Sequence, residues 1–266
     1  MPTIPDRKTY DSLAALNFSG ARELLKSPLH FQSYLNKPRE ETKALRLGSL
    51  THALVLEPHS VEQRFAVAPE CDRRTKDGKA IYEAFVAGAA GKTVVSAEEN
   101  DLAVNVSKSM ASACESLGVS FLFTEAMFTV EYNGVRLKSA IDAIGDDGYL
   151  YDLKTAECAS ARGFLQSVRS YSYNLQAHFY RLVYELETGN RARGFRFIVA
   201  EKSEPWAWAI YELGPEFMTF ATMEFEEAVQ KYKSCRELDS WPGYPTEVQV
   251  LDLNAKPTAS TPINFA

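Results

Sequence analysis

At 266 residues, 45% of them hydrophobic, the chain holds enough apolar material for one sizeable core. A formal charge of −6 and a pI near 5.4 argue against non-specific coating of nucleic acid, while leaving room for a local basic groove. No apolar run approaches the roughly 18–20 residues that cross a bilayer, the first residues lack the layout of a signal peptide, and Cys71, Cys114, Cys158 and Cys235 are scattered without a C-x-x-C pair. A soluble, cytoplasmic protein with free thiols is expected, without a zinc site, an iron–sulfur cluster or a disulfide framework.

In chain order, residues 10–26 have helical apolar spacing with a break at Asn17 to Gly20, and Ser27-Pro28 is expected to stop the helix. Residues 43–56, KALRLGSLTHALVL, read as a buried helix ended by Glu57-Pro58. The polar, basic stretch that follows is read as a loop leading into a helix at about 79–87. Residues 97–117 read as a helix with Ser96 as its cap and acids in its first turn. Three or four β runs come next, divided by Asn133-Gly134 and by the turn from Gly145 to Gly148. Helices are expected over 158–169 and 174–188, the second with a stripe through Leu175, Phe179, Leu182, Val183 and Leu186. Strands at 192–200 and 205–213 and a helix at 215–238 follow; from 252 onward no core pattern remains, and that tail is expected to be extended or disordered. The order implies an α/β fold: a mixed sheet with a central antiparallel meander flanked by helices, in a single domain over 1–251, with a mostly helical elaboration over 1–90 and the core over 91–251.

The sequence SAIDAIGDDGYLYDLKTAE, residues 139–157, carries charge where a core strand should continue. Side chains alternate along a strand, so Asp152 and Lys154 share one face and Leu153 the other. A tight turn at Gly145 to Gly148 would fold Asp142 beside Asp152, and two adjacent carboxylates repel unless a cation sits between them. Hard oxygen ligands suit Mg²⁺ or Mn²⁺, and a neighbouring lysine can orient a water or stabilise phosphoryl charge. Taken alone, the same residues also fit a hairpin with an ordinary surface Asp–Lys pair.

His52, in Gly48-Ser49-Leu50-Thr51-His52, is either a core histidine or a metal ligand; Gly48 costs a helix interior about 1 kcal/mol, which suggests a close approach or a packing need. Gln176 and Tyr180 stand one turn apart on one helix face, which is either merely half-buried and polar or able to orient the lysine and a substrate backbone. Arg73, Arg74 and Lys76, with Lys79, form a basic run that is either solvated or a phosphate contact. Arg162 and Arg169, with Tyr171 and Tyr173, could face a backbone channel. Glu125 is read as an outward strand residue, and His30, His59 and His178 as without recognisable partners.

Gly48-x-x-x-His52, Asp142, Asp152-x-Lys154 and Gln176-x-x-x-Tyr180, in that order on helix, strand, strand and helix, resemble the RecB-type branch of the PD-(D/E)xK nuclease superfamily. SPLHFQSYLN, ETKALRLGSLTHALVLEP and FAVAPECDRRTKDGKAIYEAF extend the resemblance to the RecE family, the exonuclease VIII catalytic domains, from about residue 16 to 240. Ile141-Asp142 stands where the superfamily's nominal Pro-Asp would be. The resemblance implies a restriction-endonuclease-like fold and a Mg²⁺-dependent exodeoxyribonuclease, with Mn²⁺ as substitute. Such an enzyme digests one strand of linear duplex DNA 5′ to 3′ and leaves a 3′ single strand for a RecT-type annealing protein. It also implies a ring-forming homo-oligomer, trimer or tetramer, whose basic channel can coexist with an acidic exterior. By the same resemblance, His52, Asp142, Asp152 and the Leu153 carbonyl would hold metal, Lys154 would position or activate the attacking water, and Gln176 and Tyr180 would support the lysine and the scissile phosphate. Two alternatives are a catalytically inactive DNA-end-binding or recombinase-loading module on the same fold, and an AddB-like nuclease of the iron–sulfur type. Only Cys235 lies well past the motifs to serve the latter.

Overall fold

The structure, a computed structural model, describes residues 6–37 and 41–250, so the tail expected from residue 252 lies outside the described residues. Three short helices open the chain, each started by a side chain that accepts an otherwise orphaned backbone N–H. Asp6 caps α1 (Arg7–Ser12), Asn17 caps α2 (Phe18–Lys26) and Ser27 caps α3 (Pro28–Asn36). Ser27-Pro28 therefore does more than stop a helix. Proline at the first helical position needs no N–H partner and has its φ already set, so the same pair starts α3.

Thr42 caps α4 (Lys43–Leu56), and a 3₁₀ turn at Pro58–Ser60 and α5 (Val61–Arg64) lead into β1 (Phe65–Val67). Helix α6 (Lys76–Gly88) begins three residues before the expected start because Thr75 caps it, and β2 (Thr93–Val95) pairs in parallel with β1. Helix α7 (Ala97–Leu117) starts with a full capping box between Ser96 and Glu99 and ends where Gly118 turns left-handed, φ 61°.

The central sheet follows: β3 (Phe121–Tyr132), β4 (Val135–Gly145) and β5 (Tyr149–Ala156), then α8 (Ala161–Tyr171), α9 (Tyr173–Thr188), β6 (Gly194–Glu201), β7 (Trp208–Glu212) and α10 (Pro215–Leu238). Strand order matches chain order, β3-β4-β5-β6-β7, with β5 and β6 parallel and the other neighbours antiparallel. The parallel pair needs a crossover, and α8 and α9 supply it. Asn133 and Gly134 both have positive φ, 49° and 80°, the conformation of a tight hairpin turn whose twist suits the strands.

Helices cover both faces of this sheet. On one face, Phe128, Leu137, Ile141, Leu150 and Phe197 pack with Leu24 of α2, Phe164 of α8, Phe179 and Val183 of α9 and Phe225 of α10. On the other, Ala143, Tyr151, Leu153 and Ile198 pack with Leu56 of α4 and Val106 and Met110 of α7. Phe179 is fully buried edge-on to Phe225, ring centroids 5.5 Å apart. Phe179→Ala is expected to cost about 3–5 kcal/mol of stability, read from urea denaturation; a loss below about 1 kcal/mol would contradict this packing.

Candidate active site

The site lies where β4 and β5 part. Their ladder carries only two pairs, Ala143↔Tyr151 and Ile144↔Leu150, so Leu153 has no β4 backbone partner although it lies in the sheet. Side chains close the fork instead. Leu153 N–H donates to Asp142 Oδ2 at 2.7 Å, and the Leu153 carbonyl accepts from His52 Nε2 at 2.9 Å. A carbonyl cannot donate, so Nε2 carries the hydrogen and Nδ1 presents its lone pair, 3.6 Å from Asp142 Oδ2.

Glu125 completes the cluster. One ligand atom each from His52, Glu125 and Asp142 lie within 4.8 Å of one another. On β3, Glu125 falls opposite Asp142, between the pairs Thr124↔Ala143 and Ala126↔Ile141, with a positive φ of 47° that is uncommon for a side-chain-bearing strand residue. The expectation of an outward Glu125 is thus corrected: it turns into the fork.

Asp152 is only 2% exposed and sits one step behind this cluster. Its Oδ1 accepts from Gln176 Nε2 at 2.6 Å, and Lys154 Nζ stands 2.6 Å from its Oδ2, an oxygen with no hydrogen bond of good geometry. Lys154 Nζ in turn donates to Gln176 Oε1 at 3.0 Å and lies 4.4 Å above the Tyr173 ring. Gln176 therefore bridges the acid and the lysine of the D-x-K strand. Tyr180, one turn further along α9, places its phenol on the same helix face as Gln176, and its ring packs edge-on to Phe18.

Burial, and then Asp142, push Glu125 up to about 7; burial, and then Asp152, hold Asp142 well above the usual carboxylate range. Burial pulls His52 below its ordinary value, so the imidazole is neutral, with Asp152 opposing that shift. Burial alone would lower Lys154, but Asp152, with Tyr173 and Asp142, outweighs it and the ammonium is held above its ordinary value. The donor set fits a divalent cation: two carboxylates whose charges are costly without one, and an imidazole lone pair aimed at the same space.

The sign of the pH dependence follows. Glu125 keeps its proton in the folded state from about 4.5 up to about 7, so its contribution to stability falls as pH rises through that window. A cation must displace such protons in acid and relieves repulsion in base. Saturating Mn²⁺ is therefore expected to raise the melting temperature by about 5 °C at pH 8 and much less at pH 5.5; an equal shift at both, by calorimetry, would contradict the assignment.

The remaining sequence-derived candidates lie elsewhere. Arg73, Arg74 and Lys76 are exposed at the start of α6, with Arg73 4.5 Å above the Tyr82 ring. Arg162 and Arg169 are exposed on α8 and do not line the groove that opens beside Lys154, although Tyr171 and Tyr173 do. Gly48 is also corrected: a Cβ there would meet nothing within 4 Å, so no close approach explains it. His30 and His178 do find partners, Ser27 Oγ at 2.7 Å and Thr222 Oγ1 at 3.4 Å.

A forked mixed sheet with two acids and a histidine gathered at the fork and a lysine beside it is the arrangement of a PD-(D/E)xK-like domain, and nucleases of that class generally use divalent metals. The model of a family described as a PDDEXK-like domain of unknown function (DUF3799) matches residues 17–254, and the chain belongs to that family. Among solved structures, one from Eubacterium rectale, described as a candidate exonuclease, aligns over 84% of this chain and 82% of its own at 14% identity, with a TM-score of 0.61; at that identity the likeness is one of fold. A second, titled SSO0001, covers 85% of this chain and 90% of its own at 14% identity, but its TM-score of 0.29 carries no argument. No curated protein matches the chain. Among the described residues, no helix is long and apolar enough to cross a membrane.

Proposed function

We propose that the protein is a Mg²⁺-dependent exodeoxyribonuclease of linear duplex DNA, with Mn²⁺ as a working substitute. In this reading it digests 5′ to 3′ and leaves 3′ single strands for an annealing protein of the RecT type, as a ring-forming trimer or tetramer. The supporting observation is the His52–Glu125–Asp142 cluster at the fork, one strand position from a lysine locked by an acid and an amide. Polarity, partner and ring rest on the motif resemblance to the RecE family.

His52, Glu125 and Asp142 would hold the cation, with the Leu153 carbonyl within reach once His52 Nε2 releases it. A bound divalent cation would supply Lewis-acid polarisation of the phosphate and a more acidic water. The protein's own contribution is positional. Gln176 and Asp152 fix Lys154 Nζ so that one N–H can meet a phosphoryl oxygen or an attacking water without reorganisation. Partial burial limits how far bulk water screens that charge.

The test is digestion of linear duplex labelled at the 5′ or the 3′ end, against a covalently closed circle, with Mg²⁺ or with EDTA. Expected is Mg²⁺-dependent early release of the 5′ label, a retained 3′ label on long products, and an intact circle. Nicking of the circle, or release in EDTA, would overturn the proposal.

A further inference from the structure

A groove of about 420 Å³ opens beside Lys154, between the end of β5, helix α8 and Lys202 just past β6. Its volume falls in the range that accepts a small ligand. One wall is aromatic. Tyr171 is 51% exposed and stacks on Tyr173 (5.6 Å, 26°), which stacks on Phe197 (5.6 Å, 27°), so the outer ring rests on a column rooted in the core. Ser172, with φ 55°, makes the break between α8 and α9 that sets these two tyrosines face to face.

Two cations line the same groove. Lys154 and Lys202 both line the groove with side chains only 19% and 23% exposed. Lys202 pairs with Glu157, whose side chain is 84% exposed and free to yield its place to a stronger anion. Gln166 and Ser170 add uncharged hydrogen-bonding groups to the lining. A half-exposed π face beside two partly buried ammonium groups is the chemistry of a nucleotide, because every base has a face to stack and every nucleotide a phosphate to neutralise.

We propose that this groove is a nucleotide subsite: it receives the deoxynucleotide adjoining the phosphate under attack, its base on Tyr171 and its phosphate between Lys154 and Lys202. The assignment rests on the nuclease reading for its place in the reaction but not for its binding chemistry. Stacking tolerates any base, so the subsite grips without reading sequence.

Cys158, an exposed thiol in the groove's lining, allows a test without turnover. Alkylation of Cys158 by N-ethylmaleimide is followed by peptide mass spectrometry in EDTA, with Cys71 as internal reference. Thymidine 5′-monophosphate is expected to slow Cys158 modification and leave Cys71 unchanged; Tyr171→Ala should weaken that protection about tenfold and Tyr171→Phe restore it. On linear duplex, Tyr171→Ala should raise KM about tenfold with kcat within about twofold. Equal protection by inorganic phosphate alone, or protection and KM unchanged in Tyr171→Ala, would overturn the subsite even if DNA is digested normally. Tyr171-dependent protection in a protein that digests no DNA would instead sink the nuclease reading and leave the subsite standing.

Discussion

Lys154→Ala is expected to lower kcat on linear duplex by about 10²- to 10³-fold or more, while Mn²⁺ affinity at the fork stays within about threefold. The split follows from geometry. Lys154 Nζ contacts Asp152, Gln176 and the Tyr173 ring, and none of these is among the three ligands that face one another. The substitution also strands Asp152, and breaking a buried pair costs about 3–5 kcal/mol when one partner is left charged. Lys154→Met with Asp152→Asn is therefore the proper companion: it removes the stranded charge, so the fold should recover while activity stays lost. Wild-type rates in Lys154→Ala would remove the mechanism.

Glu125→Gln and Asp142→Asn should do something less common, stabilising the cation-free protein while abolishing its cation binding. Burial raises both carboxylates, with Asp142 helping to push Glu125 up to about 7 and Asp152 helping to hold Asp142 well above its ordinary range, so each group strains the fork once it ionises. An amide of the same shape carries no charge and, at position 142, still offers an oxygen to Leu153 N–H. For Glu125→Gln at pH 8 the gain is on the order of 3 kcal/mol, from a shift between about 4.5 and about 7. Mn²⁺ affinity should fall by about 100-fold or more in the same variants. A variant less stable than wild type without cation, by denaturant titration at pH 8, would show that the acids are held by something other than the space between them.

Much of this was legible in the sequence where local chemistry decides the outcome. The ends of α4 and α7 are set by Thr42, Glu57-Pro58, Ser96 and Gly118, and α10 begins at Pro215, each a cap or a stop readable on its own. The parallel pair β1 and β2 was not legible, because three-residue strands from remote segments leave no period. Nor was the end of the β4–β5 ladder: the turn at Gly145 to Gly148 brings Asp142 level with Asp152, yet the strands part there. Asp142 then turns to Leu153 N–H and His52, and Asp152 to Lys154 and Gln176, so the two acids take different partners.

Glu125 left a usable signal. It lies eight positions before Asn133, and Asp142 eight after Gly134, so a two-residue turn at Asn133-Gly134 sets the two acids opposite each other. Its inward turn is not legible, because the positive φ at Glu125 has no mark in the sequence. The groove was hidden for a different reason. Lys202 and Ser170 approach Lys154 only after the α8–α9 crossover brings β6 alongside β5.

Anomalous diffraction from crystals soaked in Mn²⁺ at pH 8 tests the central claim most directly. The expected result is a peak at the β4–β5 fork, about 2.0–2.3 Å from a nitrogen of His52 and from carboxylate oxygens of Glu125 and Asp142. No peak at the fork, or a peak that excludes Glu125 and His52, would contradict it.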